Sequence, residues 1–182
     1  MKATGIVRRI DDLGRVVIPK EIRRTMRLRE GTPLEIFTDI DGQVILKKYS
    51  PMAELGSFAK QYADSLAQIS GHMVCITDRD HIIAIAGGIK KDFLEKPISR
   101  DLENLIQNRD VVITKKNELG KVAIGTEDSS IYTGQVIYPI ICEGDAIGSV
   151  GIYGKDARLS MSETEQKLVA AAAGFLGRQM EN

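Results

Sequence analysis

The chain has 182 residues, 43% of them apolar and 27% charged, proportions that exclude collagen-like, low-complexity and wholly disordered proteins and allow one ordinary domain or two small ones. Its longest uncharged run, Ser129 to Cys142, is 14 residues, short of the roughly 20 a membrane helix needs. With no apolar block behind the basic start either, the expectation is a cytoplasmic protein without a secretory signal or membrane span. Formal net charge is zero but unevenly spread: residues 1–29 hold nine bases against three acids, and residues 49–182 carry a net −4. A basic head on an acidic body points to a polyanion-binding module joined to something else. Cys75 and Cys142 form no disulfide framework, and no Cys/His cluster supports a metal, so neither metal nor cofactor is expected.

In chain order, Thr4–Ile10 and Arg15–Ile18 read as short strands rich in β-branched residues, with Asp11-Asp12-Leu13-Gly14 as the turn between them. Pro19 opens a helix to about Leu28, and Glu21 suits its positive end. Lys20, Arg23, Arg24 and Arg27 fall at i, i+3, i+4 and i+7, one cationic stripe, while Ile22 and Met26 point the other way. Leu34–Thr38 and Val44–Lys48 flank Asp41-Gly42, a strong hairpin signal. About 50 residues make a marginal core, and apolar residues occupy both faces of this hairpin. The head therefore calls for a second chain.

Ser50-Pro51 starts a helix in which Met52, Leu55, Ala59, Tyr62, Leu66 and Ile69 repeat with heptad spacing. Two readings stay open, a seam that pairs chains and an amphipathic helix lying on its own domain. Beyond it, His72–Thr77 and His81–Gly87 are strands around a turn of solvated charges, Asp78-Arg79-Asp80. Ser99–Asn108 is a helix. Val111–Thr114, Gly134–Cys142 and Ala146–Gly154 are further strands, and a helix from about Glu163 to Met180 begins with Ser162 and Glu165 in capping-box order. Strands grouped between helices predict an α+β domain with an antiparallel sheet. The glycines of 148–154 lie within a strand and serve close packing, not phosphate binding. Residues 115–133 lack periodicity, as site-lining loops do.

The run from Thr4 to Arg24, with Leu34-Glu35-Ile36 and Val44-Ile45-Leu46-Lys47-Lys48-Tyr49, resembles the DNA-binding domain of AbrB-type transition-state regulators. With the tail and its ending Ala172–Met180, the whole chain resembles sporulation regulators that join such a domain to a GAF-like sensor domain. The resemblance implies residues 1–50 as a dimeric swapped-hairpin barrel, 51–70 as a connecting helix, and 71–182 as a GAF-like α+β domain. It further implies a transcription regulator, activator or repressor of sporulation genes, acting on double-stranded DNA in the cytoplasm, at the nucleoid and in the forespore. By motif the DNA-contacting residues are Arg8, Arg15, Arg23 and Arg24, with Lys2, Arg9 and Arg27 in the second rank. Tetramers are expected from pairing through helices 52–70 and 163–180. A GAF-like domain implies a small-molecule pocket against the 89–133 segment, with Phe93, Arg100, Asp128, Ser130, Tyr132 and Tyr138 as candidates, although the cyclic-nucleotide signature and a bilin-attachment cysteine are missing. Two alternatives remain: an antitoxin of a toxin-antitoxin pair, which uses a similar barrel, and a thiol reductase acting through Cys75 and Cys142.

Overall fold

In the computed structural model of the chain the described residues are 5–50, 52, 56–88, 93–114, 120–126, 132–154 and 161–181. They fall into two compact units, divided between Tyr49 and Ser50.

The head holds a six-residue helix α1 (Lys20–Thr25) and one hairpin, β1 (Leu34–Thr38) against β2 (Val44–Lys48), with Leu34 opposite Lys48 and Thr38 opposite Val44. Gly42, at φ +77°, closes the hairpin turn and donates its N–H to Asp39. The two strands expected over residues 4–10 and 15–18 are not strands within one chain. Their described residues belong to no ladder. The physical reason is on the surface: Val7, Ile10, Val16 and Val17 are all more than half exposed, and α1 buries no residue. Among the described residues of a single copy nothing pairs with or covers them, although fully burying one such side chain is worth roughly 1.5–3 kcal/mol.

The second unit completes its own core. Its antiparallel sheet has the order β4-β3-β7-β6-β5, built from β3 (Met73–Asp78), β4 (Ile82–Ala86), β5 (Val112–Thr114), β6 (Gly134–Cys142) and β7 (Asp145–Gly154). Strand alternation sorts side chains cleanly. Val74, Ile76, Val136, Ile140, Val150 and Ile152 face helices α2 (Gly56–Ser70) and α4 (Glu163–Gln179). Met73, Cys75, Ile137 and Tyr153 face α3 (Arg100–Asn108) and its flanking loops. The glycines of β7 permit close approach: a Cβ on Gly148 would strike the Thr77 carbonyl, and one on Gly151 would strike the Tyr153 ring. Across the same strands the Thr77 and Ser149 hydroxyls share a buried hydrogen bond of 2.8 Å.

The heptad residues of the 52–70 helix serve this core. Met52, Ala59 and Leu66 are buried against the unit's own sheet, which favours the amphipathic helix over a seam made of these positions; Leu55 lies outside the described residues. Ile69 is exposed. The heptad residue Tyr62 is half-buried and joins Phe58 and the exposed Phe175 in an aromatic group on α2 and α4. Phe58 stacks on Tyr62 at 6.0 Å and 9°, and Phe175 meets Tyr62 at 5.5 Å. No helix among the described residues is long and apolar enough to cross a membrane.

Helix α4 begins with a capping box in which the Thr164 N–H donates to Ser162 Oγ and the Ser162 N–H donates to the Glu165 carboxylate at 2.7 Å. Burial pushes the Glu165 carboxyl up, but the hydroxyl and N–H of Ser162 outweigh it and hold the group below the ordinary glutamate value. A depressed carboxyl stabilises the fold fully above its unfolded value near 4.5 and loses that contribution as pH falls through the folded value. Glu165→Gln should therefore lower stability by about 1 kcal/mol at neutral pH. Thermal melts should show the gap from the native chain closing on acidification; a gap independent of pH would contradict this origin.

Candidate nucleic-acid interface

The exposed cationic side chains lie on three parts of the head. Arg8 and Arg9 lie exposed on the extended segment before the turn, and Arg8 Nη1 donates to the carbonyl of Val7 at 3.2 Å. The turn itself is held by Asp11. Its Oδ1 accepts the N–H groups of Leu13 at 3.0 Å and Arg15 at 2.8 Å, and its Oδ2 accepts Arg15 Nε–H at 2.8 Å. Gly14, at φ +75°, takes the left-handed conformation that closes the loop. The third part is α1, where Pro19 sits as N-cap and Lys20, Arg23 and Arg24 are exposed.

The stripe ends sooner than its spacing predicts. Helix α1 stops at Thr25 rather than near Leu28, because the Leu28 N–H donates to the Arg23 carbonyl at 2.7 Å and the Arg27 N–H to that of Arg24. Those two bonds form a Schellman cap with Arg27 at its left-handed position, φ +52°. Arg27 is half-buried with its Nη1 enclosed, and its carbonyl accepts from Lys48 Nζ at 3.4 Å. It therefore leaves the exposed stripe. Lys2 lies outside the described residues. Arg8, Arg9, Arg15, Arg23, Arg24 and, outside the motif, Arg29 are exposed; guanidinium forks grip phosphate bidentately and can reach guanine edges.

The expected pocket of the tail is not assembled as the sequence reading placed it. Phe93 and Tyr132 do share the α3 face of the sheet. Tyr138 packs with the opposite cluster, because it is one residue out of phase with Ile137, and Arg100 is exposed. Asp128 and Ser130 lie outside the described residues. Tyr132 leans on the buried Tyr153 ring at 5.1 Å, and the side-chain amide of the buried Gln135 grips both the N–H and the carbonyl of Val122, at 2.8 and 2.6 Å.

The turn at 78–80 also differs from its expected solvated form. Asp78 and Asp80 are buried. Asp78 Oδ1 accepts the N–H groups of Asp80 and His81 at 2.7 and 2.6 Å, and Oδ2 accepts the Ser50 hydroxyl at 2.7 Å. The first residue of the second unit is thus fastened to a buried carboxylate. Sequence patterning missed this, as it missed Asp11, because hydrogen bonds from an acid to a turn leave no periodic trace; the Asx-turn propensity of Asp was the available signal.

An arginine-faced head with an unfinished core, joined to a self-sufficient antiparallel-sheet domain, is the make-up of a two-domain transcription regulator. The family model described as "Stage V sporulation protein T C-terminal, transcription factor" matches residues 54–181, and that described as "Antidote-toxin recognition MazE, bacterial antitoxin" matches residues 7–54. The chain is 58% identical to stage V sporulation protein T of Bacillus subtilis (strain 168) over 182 residues, all of this chain and 99% of the relative. It is 40% identical to transition state regulatory protein AbrB of the same organism, over 59% of this chain and 96% of that one. In fold, it is similar to the GAF domain of an Acinetobacter phosphoenolpyruvate-protein phosphotransferase, with a TM-score of 0.57 at 13% identity over 74% of this chain and 84% of that one. The chain belongs to the stage V sporulation protein T family of transcription factors, with an AbrB-like head and a GAF-like tail.

The cysteines are poorly suited to thiol chemistry. Cys75 is buried in β3, and Cys142 is half-exposed with its thiol pushed up by burial and by the charges of Glu143, Glu181 and Asp145, whereas a reactive thiol needs its thiolate favoured. Titration of the folded protein with a thiol reagent at neutral pH should find Cys75 inert and Cys142 slower than a free thiol. Rapid labelling of either would restore the reductase reading.

Proposed function

We propose that this chain is a sporulation transcription regulator whose head grips double-stranded DNA through Arg8, Arg15, Arg23 and Arg24, with Lys2 and Arg9 as auxiliary contacts. The observation that carries this reading is the exposure of those described arginines on the one unit whose apolar strands are also left uncovered. A second copy that interleaves its hairpins with the first would bury those strands and double the cationic face in one step. Arg27 drops to a structural role, since its guanidinium is partly enclosed. Much of the sequence preference would come from DNA shape and deformability, which guanidiniums on phosphates read indirectly. The regulator acts in the cytoplasm, at the nucleoid and in the forespore, as activator or repressor by promoter. It needs no cofactor and performs no catalysis.

The GAF-like tail, on this reading, assembles the protein and can house a small molecule against its α3 face, where Phe93 and Tyr132 lie. Its message to the head would run along the chain through Tyr49–Ser50, the covalent junction of the units. An antitoxin would instead use a disordered tail to block its toxin, and here the tail has a core of its own. Head dimers joined by tail pairing would give tetramers. The partly exposed aromatics Phe58, Tyr62 and Phe175, rather than the buried heptad positions Met52, Ala59 and Leu66, are the surface for the second pairing.

Gel shifts of the whole protein on promoter DNA over a salt series test the head. Log affinity should fall steeply with log salt, by about 0.9 per neutralised phosphate. Arg8→Ala, Arg15→Ala, Arg23→Ala and Arg24→Ala should each weaken binding and lower the slope by about 1 where the lost contact is a phosphate. Native affinity in all four would remove the assignment. Assembly is tested separately by sedimentation equilibrium. Tyr62→Lys with Phe175→Glu should convert tetramers to dimers that bind DNA more weakly through lost avidity, and an unchanged tetramer mass would place the second interface elsewhere.

A further inference from the structure

An acid sits among the exposed arginines of the head. Asp11 is one of only three carboxylates among the first 29 residues, it is exposed, and it lies beside one of the arginines proposed to meet DNA. Judged by charge alone it opposes binding of a polyanion.

Its bonding gives it another part to play. Five hydrogen bonds tie Asp11 to Leu13, Gly14 and Arg15. Three end on its carboxylate, from Leu13 N–H, Arg15 N–H and Arg15 Nε–H. Two are between backbones, from Asp11 N–H to the Arg15 carbonyl at 3.1 Å and from Gly14 N–H to the Asp11 carbonyl at 3.0 Å. The carboxylate therefore shapes the loop with one oxygen and holds the guanidinium with the other. It takes the Nε–H of Arg15 and leaves the four Nη N–H groups without a partner among the described residues. Those are the end-on donors suited to bidentate contact with a phosphate or a guanine edge. Arg15 keeps a side-chain exposure of 69% while so held.

We infer that Asp11 is a positioning residue for DNA recognition: it fixes the loop and the Nε side of Arg15 so that the guanidinium meets DNA end-on, already ordered. Ordering a long, rotamer-rich side chain before binding removes a cost that would otherwise fall on the complex. The N–H and guanidinium of Arg15 hold the Asp11 carboxyl below its ordinary value, so the carboxylate persists through the neutral range. This inference rests on the reading that Arg15 touches DNA.

The sign of one substitution decides it. Removing an acid from a DNA-binding face should tighten binding if only charge matters; if Asp11 positions Arg15, removal should weaken it. The test uses the whole chain, native and as Asp11→Asn, Asp11→Ala, Arg15→Ala and Asp11→Ala/Arg15→Ala, titrated with one A/T-rich DNA duplex over a salt series. Asp11→Asn keeps an oxygen for the loop N–H groups but loses the charged grip on Nε, so it separates holding the loop from holding the guanidinium. Both single Asp11 variants should bind about 3- to 10-fold more weakly, and the double variant should be no weaker than Arg15→Ala, since the two side chains act as one unit. Native or tighter binding by Asp11→Asn, with Arg15→Ala weakened, overturns the positioning role and leaves the DNA-binding reading intact. Native binding by Arg15→Ala overturns both the Arg15 contact and this inference. Should Asp11→Ala fail to fold, Asp11→Asn carries the test alone.

Discussion

In the head, Val7, Ile10, Val16 and Val17 stand largely in solvent, and Ile36 and Val44 join them from the hairpin. A two-stranded hairpin with a six-residue helix beside it cannot supply enough burial to hold itself together. The uncovered apolar surface is therefore the constraint from which the rest follows. Covering it with a second copy would create the core, supply ladder partners for the extended segments around residues 6–10 and 15–18, and set two copies of the arginine face side by side. Assembly and DNA recognition would then be one event.

The tail answers the same problem differently. Its five-stranded sheet is covered on both faces, by α2 and α4 on one and by α3 with its loops on the other, so it folds around its own side chains. Its core is therefore complete without any side chain of the head. The Ser50 hydroxyl on buried Asp78 gives the sheet a direct hold on the residue where the chain enters the unit. A change at the β3–β4 turn would be felt there first.

Much of this was legible in the sequence where periodicity was strong. The sheet strands, the capped helix α4, the Asp-Gly hairpin and the incomplete head are all read from pattern and turn chemistry. What escaped has identifiable causes. The early end of α1 depends on Arg27 adopting a left-handed conformation usually given to glycine. The heptad repeat over 52–70 looks alike whether it meets another chain or its own sheet, and burial of Met52, Ala59 and Leu66 decided for the sheet. Tyr138 fell on the wrong face because a strand changes sides at every residue, and a loosely bounded strand hides that parity. The strands expected near residues 4–10 and 15–18 have the right residues but lack a partner within one chain.

Those segments also offer the most direct check. Amide hydrogen exchange on the whole protein at a concentration where it binds DNA would report residues 6–10 and 15–18 individually. In a single chain these amides have no ladder and should exchange about as fast as unstructured backbone. If a second copy completes the head, they should instead be protected to a degree comparable with the strands β3 and β7 of the tail. Fast exchange there, in protein that still binds DNA, would contradict the account at its base.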